Sequence, residues 1–341
     1  MAMKSRRLSG NHYEIGLQLG RRYKKKGLSV NAFKINEECL AKQLKVYRKY
    51  FPDYLEEIKG IADGGGFNGK KTQSALLTGE ISSIRKHHPA CTIFGIKSNK
   101  GVFVGRNYDW SPQPTDYAEI QTRHTAGYYG YKAICDLYTG DTNQKKINFG
   151  FFEHLDIINE KGLFAGVTYA YCNNWQYGLV WKDFLQLIAE TCATTKQAIE
   201  LFNKIPCCIP KNFFIADKNG DMAIIEHAVK DFKVIYPNED ILIQTTHYLD
   251  SNLSKVDLVL AKNPKHTTYK RYSEILEKLT NRTSFFYFED IIKILGDTSS
   301  CVCQNMVNAK TVWAWALDMK KRKYYLYTNL FGKRKVEHIR I

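Results

Sequence analysis

Apolar side chains recur at helical spacing through the first 90 residues of the chain. Within 31–50, for example, Leu40, Leu44 and Tyr47 are three to four positions apart, which places them on one face of a helix. Three glycines at 64–66 end the next apolar segment, because glycine disfavours continuation of a helix. The pattern predicts four helices, at 12–22, 31–50, 54–62 and 72–85.

After residue 90 the pattern changes to short runs of β-branched and aromatic residues separated by turn residues. The first predicted hairpin turns at 98–101. Further strands are predicted at 147–158, 163–171, 212–216, 222–226, 232–236, 241–246, 311–317 and 323–328, with helices at 181–190, 195–203, 269–279 and 288–295. The composition break at His87, His88 and Pro89 separates a mostly helical segment, 1–90, from a strand-rich domain, 91–341. The whole pattern predicts an α+β fold of two packed antiparallel sheets with helices outside.

The first hairpin brings three chemically useful side chains together. If Ser98 pairs with Gly101, Cys91 lies opposite residue 108, and Arg106 points to the same face as Cys91. Asp109 then sits beside them at the strand end, although a bulge could shift it by one position. A thiol, a guanidinium and a carboxylate are therefore predicted at one end of one hairpin.

The Ala90–Cys91 bond is a plausible cleavage site, because it lies directly after the composition break. Cleavage would give Cys91 a free α-amine next to its own thiol, and such an amine has a pKa of about 7.7. Arg106 would favour the thiolate, and Asp109 would hold the amine. The alternatives are that Cys91 is a small apolar residue of a strand and that Asp109 caps a turn.

The positive charge of the chain does not change the predicted class of protein. The net charge is +16, and the first 90 residues hold 18 Lys/Arg against 8 Asp/Glu. Arg21, Arg22 and the lysines at 24–26 are typical of the solvated end of a helix. No nucleic-acid-binding module accompanies them, so no nucleic acid partner is expected. A basic interaction protein with general attraction to anions remains an alternative.

The remaining composition argues for a cytoplasmic chain without a membrane segment or cofactor. No apolar stretch approaches eighteen residues, and the N-terminus lacks the apolar region of a signal peptide. Nine cysteines are typical of reduced thiols. No metal site is predicted, because the candidate ligands lack standard zinc spacing. Those candidates are Cys207, Cys208, Cys301, Cys303 and either His87 or His88.

Several motifs together resemble the N-terminal-nucleophile (Ntn) hydrolases of the choloylglycine hydrolase and penicillin acyltransferase type, also called linear amide hydrolases. In chain order they are GNHYEIG at 10–16, EIKGIADG at 57–64, Cys91-Thr92, GRNYD at 105–109, NEKGL at 159–163 and ADKNG at 216–220 with Glu226. Each motif alone is weak, but their joint order is specific. The resemblance implies an αββα sandwich with a helical propeptide at 1–90.

The resemblance also implies roles for individual residues. Cys91 would be the nucleophile, supported by Arg106, Asp109 and a second arginine, Arg271. The oxyanion hole of the family combines a backbone N–H, here near Thr168 or Tyr169, with an asparagine side chain at the position of Thr246. This threonine is the main departure, because its hydroxyl is shorter than an amide and donates one hydrogen bond.

Aromatic residues are candidates for an acyl pocket. Trp110, Tyr171 and Trp175 are the predicted lining residues, with Tyr169 beside them. The alternative is that these aromatic side chains belong to the core. His247 is expected to be a hydrogen-bonded structural histidine.

The sequence thus predicts an autoprocessed cysteine amidohydrolase that cleaves a linear acyl amide of small-molecule size. The propeptide is expected to stay bound as a subunit, and a homo-oligomer is compatible with this interpretation. An acyltransferase that passes the acyl group to an amine is one alternative. A weak or inactive member that binds an acyl ligand is another, motivated by Thr246.

Overall fold

The computed structural model describes residues 3–31, 33–82, 90–110, 118–138, 151–280, 286–306 and 309–341. Three sequence expectations reach beyond these residues: the composition break at 87–89, the end of the predicted helix 72–85 and the start of the predicted strand 147–158. The two candidate zinc ligands His87 and His88 also lie outside them.

Helices occupy most of the N-terminal segment and recur in two pairs later in the chain. They are α1 (His12–Lys25), α2 (Glu37–Tyr50), α3 (Pro52–Gly65), α4 (Gly69–Ser82), α5 (Trp181–Thr191), α6 (Thr195–Lys204), α7 (Val259–Lys262), α8 (Thr268–Thr280) and α9 (Phe288–Leu295). The predicted helices are all present. The second starts at Glu37 rather than 31, where the Asn36 side chain accepts a hydrogen bond from the Cys39 N–H and caps the helix.

The strands form two sheets. They are β1 (Lys4–Gly10), β2 (Ala90–Ser98), β3 (Gly101–Trp110), β4 (Ala118–Thr125), β5 (Tyr131–Tyr138), β6 (Phe151–Asn159), β7 (Leu163–Tyr169), β8 (Lys211–Asp217), β9 (Met222–His227), β10 (Phe232–Ile235), β11 (Ile241–Gln244), β12 (Asn305–Met306), β13 (Ala309–Asp318), β14 (Lys323–Thr328) and β15 (Lys335–Ile339). The first sheet has the order β1-β4-β5-β6-β7-β8-β9-β10, and the second has the order β11-β2-β3-β13-β14-β15 with β12 on β13.

The layers follow the order helix, sheet, sheet, helix. Helices α5 and α6 cover the first sheet, whereas α8 and α9 cover the second, and β2 packs against β7 where the two sheets face each other. One large apolar core fills the space between the sheets, and a smaller core lies under α8 and α9. The predicted α+β sandwich is confirmed.

One strand pair departs from the predicted antiparallel sheets. Strand β1, which lies within the segment predicted to be mostly helical, pairs in parallel with β4 at the edge of the first sheet. Its sequence Lys4-Ser5-Arg6-Arg7-Leu8 carries little apolar pattern, because four of these five side chains are exposed. The N-terminal segment therefore contributes a strand to the sheet of the strand-rich domain.

Helices α1 and α3 pack backbone against backbone. A Cβ on Gly16 would lie 2.1 Å from the Glu57 carbonyl oxygen, and a Cβ on Gly60 would lie 2.1 Å from that of Tyr13. Only glycine allows this approach. Two glycine-containing motifs of the N-terminal segment, 10–16 and 57–64, are therefore explained by helix packing.

The same two helices carry a buried ionic network into the strand-rich domain. Glu57 on α3 lies 3.0 Å from His12 Nδ1 and 2.5 Å from Arg123 Nη2 on β4. The other ring nitrogen of His12 lies 3.4 Å from Glu190 on α5, and Gln186 donates to Glu57 at 2.9 Å. These contacts, together with the β1–β4 pair, join residues 1–90 to the rest of the fold.

This network makes stability depend on pH through His12. Burial by itself lowers the pKa of His12, but hydrogen bonds to Glu190 and Glu57 raise it to about 9. Since the folded value lies above the unfolded value of about 6.5, the contribution is full below about pH 6.5 and is lost as the pH rises to about 9. Across this pH range we expect the free energy of unfolding of wild type to fall by about 3 kcal/mol more than that of His12→Gln. Urea unfolding measures both values.

The control for this prediction is His124→Gln, since His124 is exposed. That variant should follow the wild-type curve at every pH. Parallel curves for wild type and His12→Gln would show that His12 is not protonated in the folded chain.

Candidate active site

The hairpin of β2 and β3 has the predicted register. Cys91 pairs with Tyr108 and Ile93 pairs with Arg106, without a bulge between the two strands. Alternation along the strands places Cys91 and Arg106 on the same face, which is directed at the first sheet. The chain runs continuously through Ala90 into this strand, so the structure is that of the uncleaved form.

Arg106 links the two sheets beneath Cys91. Its Nε donates to Asp156 on β6 at 2.5 Å, and its Nη2 donates to the Val167 carbonyl on β7 at 3.2 Å. Both charged side chains are fully buried. Because Asp156 neutralises much of the guanidinium charge locally, only part of that charge acts on the thiol.

The Cys91 thiol is protonated in this uncleaved form. Burial raises the pKa of Cys91, and the positive charge and hydrogen bond of Arg106 oppose that effect only in part. Cys91 is 4% exposed. The thiol must therefore give up its proton when it attacks.

Asp109 lies beside Cys91 but on the other face of the hairpin. It pairs with Ala90 across the ladder, and its two carboxylate oxygens accept hydrogen bonds from Gln304 and Thr311, each at 2.6 Å. Burial raises the pKa of Asp109 to about 6, against the opposing charge of Arg271 and these two hydrogen bonds. Asp109 is thus a fixed, buried carboxyl and not a turn cap. Its contact with a free Cys91 amine stays a prediction for the cleaved form.

Arg271 is fully buried and holds the main chain at Cys91. Its Nη1 donates to the Cys91 carbonyl oxygen and, at 2.6 Å, to the Thr92 hydroxyl. Its Nη2 donates to the Thr246 hydroxyl at 3.2 Å. Arg271 does not face solvent on α8, because it has no exposed surface. Helix α8 therefore fixes the backbone on the C-terminal side of the proposed cleavage point.

Thr246 contacts the nitrogen atom of the bond proposed to be cleaved. Its hydroxyl accepts the Cys91 N–H at 3.4 Å in addition to the Arg271 guanidinium, and its own N–H donates to the Thr268 hydroxyl at 2.8 Å. His247 Nδ1 contacts the hydroxyls of Thr245 and Thr268, both at 2.9 Å. Burial, with the charge of Arg271, lowers the pKa of His247 to about 4. His247 is therefore a neutral residue of the loop that positions Thr246.

The structure separates the four aromatic candidates. Tyr169 and Tyr171 lie together, with ring centroids 5.0 Å apart, and Lys211 Nζ sits 3.3 Å from the centre of the Tyr169 ring. Trp110 instead stacks on Tyr108 at 5.9 Å. Trp175 is 49% exposed and contacts Tyr177. Their role as pocket lining stays a prediction, and the exposed Trp175 is the weakest candidate.

Several residues of the site were not anticipated from the sequence. Asp156, Gln304, Thr311, Thr92 and Thr268 all hydrogen-bond to candidate catalytic groups. Asp156 carried a weak signal, because this acid lies between the apolar residues Leu155 and Ile157 of a predicted strand. The others are neutral polar residues whose hydrogen-bond partners lie 22 to 202 positions away in sequence. These contacts depend on how the two sheets and α8 assemble.

The described residues contain no group of three or more His, Cys, Asp or Glu side chains arranged to hold a metal ion. All nine cysteines lie within the described part of the chain and are free. None of the helices described there is both long and apolar enough to cross a membrane.

Comparisons with known proteins agree with these features. The protein-family model described as acyl-coenzyme A:6-aminopenicillanic acid acyl-transferase matches residues 96–332. The match contains Arg106, Asp109, Thr246 and Arg271 and begins after Cys91. A search of curated protein sequences found no match.

Two solved structures illustrate the structural similarity. The C2A mutant of conjugated bile acid hydrolase from Clostridium perfringens is 14% identical, with a TM-score of 0.46, and the match covers 73% of this chain and 92% of that chain. Penicillin V acylase from Agrobacterium tumefaciens is 16% identical, with a TM-score of 0.48, and the match covers 73% of this chain and 86% of that chain. On the family match, which spans most of its length, the chain belongs to the acyl-coenzyme A:6-aminopenicillanic acid acyl-transferase family of Ntn hydrolases and acyltransferases.

Proposed function

We propose that the protein is an autoprocessed cysteine amidohydrolase with Cys91 as its N-terminal nucleophile. Family membership gives the general function, acyl transfer from or hydrolysis of a non-peptide amide. One observation supports the finer proposal: the thiol, the N–H and the carbonyl of Cys91 each interact with a different buried side chain. These groups are Arg106, Thr246 and Arg271.

The first step is cleavage of the Ala90–Cys91 bond. The Cys91 sulfur attacks the Ala90 carbonyl carbon, the C–N bond breaks, and a proton moves from sulfur to the departing nitrogen. A thioester then joins Ala90 to the sulfur. Water hydrolyses this thioester, which leaves a carboxylate on Ala90 and restores the thiol. Arg271 and Thr246 support this step because they hold the carbonyl and the N–H of Cys91, the residue on the C-terminal side of the scissile bond.

In turnover the α-amine of Cys91, which cleavage has released, acts as the base for the Cys91 thiol. The amine takes the thiol proton, sulfur attacks the substrate carbonyl, and the protonated amine donates to the leaving nitrogen. Water then releases the acyl group from the sulfur. Arg106 favours the thiolate and carries no proton itself, while Asp109 is positioned to hold the amine.

Thr246 and the backbone N–H of Tyr169 are the proposed oxyanion donors. We expect Thr246→Asn to raise kcat about tenfold, because an amide N–H reaches further than a hydroxyl. Thr246→Val should lower kcat about 100-fold, since losing one oxyanion donor costs on the order of 100- to 1000-fold. Hydrolysis of chromogenic acyl anilides by the processed protein measures both changes.

Thr328→Val is the matched control for the threonine variants, because Thr328 is a buried strand threonine on β14, away from Cys91. It should retain wild-type kcat. Unchanged kcat in Thr246→Val would remove Thr246 from the oxyanion hole, and Thr246→Asn would then have no reason to be faster.

Acyl transfer to an amine is the second candidate function, favoured by the description of the matching family. The same acyl-enzyme serves both reactions, and the acceptor decides the product. Turnover of an acyl amide with added hydroxylamine separates them: a hydroxamate in excess over free acid indicates a transferase. Release of neither product, with retained ligand binding, indicates an inactive member.

The N-terminal segment is proposed to remain bound after cleavage. Its strand β1 belongs to the first sheet, and its Glu57 forms a buried ion pair with Arg123. Cleavage at residue 90 breaks neither contact. We also keep the cytoplasm as the proposed location, because all nine cysteines are free.

A further inference from the structure

A basic pocket of about 540 Å³ lies between β1 and the C-terminal half of α1. Its cations are Lys4, Arg6 and Arg7 from β1, and Arg21, Arg22, Lys25 and Lys26 from the end of α1. The buried side chains of Leu8 and Leu19 line it as well. The pocket lies at the edge strand of the first sheet, whereas Cys91 lies on β2 in the second sheet.

Basic side chains outnumber acidic ones among the described residues that line this pocket. Glu119 is the single acidic side chain among the described residues that line it. That carboxylate is already engaged, because it pairs with Arg22 and accepts a hydrogen bond from Gln121 at 2.9 Å. Seven basic side chains and one acidic side chain thus line the described part of the cavity, and the acid is already paired with one of the seven.

Favourable interaction with the helix dipole explains only part of this cluster. Basic residues in the last turn of α1, such as Lys25, are stabilised by the negative end of the helix. The cations of β1 belong to a separate element, which pairs in parallel with β4 and packs beside α1. Like charges on two neighbouring elements repel each other, and an anion bound between them would offset that repulsion.

We propose that the basic pocket binds the polyphosphate group of a small molecule, such as a nucleoside di- or triphosphate. Arginine forks and lysine ammonium groups are the side chains that bind phosphate oxygens. The volume lies within the range of about 300–1,000 Å³ that is typical of small-molecule sites. Leu8 and Leu19 provide an apolar surface for the non-phosphate part of the ligand.

Calorimetric titration of the full-length protein with inorganic tripolyphosphate and with ATP tests the proposal. Wild type should bind each at one site, with affinity that falls as salt increases. Arg21→Glu combined with Lys25→Glu should weaken both at least tenfold. The matched control is Lys45→Glu combined with Arg48→Glu, which makes the same charge change on exposed positions of α2 and should bind as wild type does.

Arg6→Gln combined with Arg7→Gln changes the wall of the pocket that β1 forms, and it should also weaken binding at least tenfold. This second variant keeps the test valid if the α1 variant does not fold. Absence of saturable binding to wild type overturns the proposal. Equal losses in the α1 and α2 variants do so too, because they indicate general attraction by net charge. Tighter binding of a single-stranded oligonucleotide or of anionic vesicles through the same residues would make the partner a nucleic acid or a membrane.

Discussion

Cys91→Ala is expected to give a single uncut chain, whereas wild type gives two fragments that separate between Ala90 and Cys91. The variant lacks the sulfur that accepts the acyl group of Ala90. Intact-mass measurement of freshly purified protein shows the outcome directly. Acyl-amide hydrolysis should fall by on the order of 1000-fold or more, because losing a covalent nucleophile removes the acyl-enzyme route.

Cys135→Ala is the matched control for this prediction. Cys135 is also a fully buried strand cysteine, on β5 in the first sheet, so it tests the effect of removing a buried thiol alone. It should be cut and active. Thermal unfolding of both variants distinguishes loss of chemistry from loss of fold. Cleavage that persists in Cys91→Ala, or a wild type that remains whole, contradicts the proposal for processing.

If wild type remains uncut but an acyl ligand still stabilises it, the protein is a binding member of the family. The residue that suggests this alternative is Thr246. Its hydroxyl accepts hydrogen bonds from both the Cys91 N–H and Arg271 in the uncleaved form. Cleavage converts the Cys91 amide into an amine and changes one of these partners. The threonine hydroxyl then has a different set of hydrogen bonds from the one that the uncleaved chain shows.

Local pattern was sufficient to predict the hairpin that carries Cys91. The turn at 98–101 and the alternation of β2 and β3 determine which residues face each other, so the Cys91–Tyr108 pair followed from spacing alone. The helices α5, α6, α8 and α9 were likewise predicted within a few residues, because their apolar faces have helical period. These features depend on short sequence separations.

Other features depend on distant parts of the chain. Arg271 reaches Cys91 across 180 positions and Gln304 reaches Asp109 across 195, and no local period encodes such contacts. Strand β1 was missed because its exposed edge position requires no apolar alternation. The role of Arg271 came from the family resemblance, while Asp156 needed the assembled sheets.

Glu57→Gln is expected to destabilise the protein by about 3–5 kcal/mol, although it removes only a charge. Arg123 would remain in the interior, 1% exposed as now, without the carboxylate that balances it. His12 would lose one of the two carboxylates that favour its charged form. Urea unfolding of the intact chain at pH 7 measures the loss.

Glu56→Gln is the matched control, since Glu56 is the exposed neighbour of Glu57 on the same helix. Its free energy of unfolding should stay within about 0.5 kcal/mol of wild type. A loss below about 1 kcal/mol in Glu57→Gln would mean that water or rearrangement compensates Arg123. Adding Arg123→Gln should restore part of the stability, because the unpaired charge is then removed as well. If processing releases a separate N-terminal chain, Glu57→Gln should also loosen that chain from the β1–β4 edge, because Glu57 carries the ionic contact between α3 and β4.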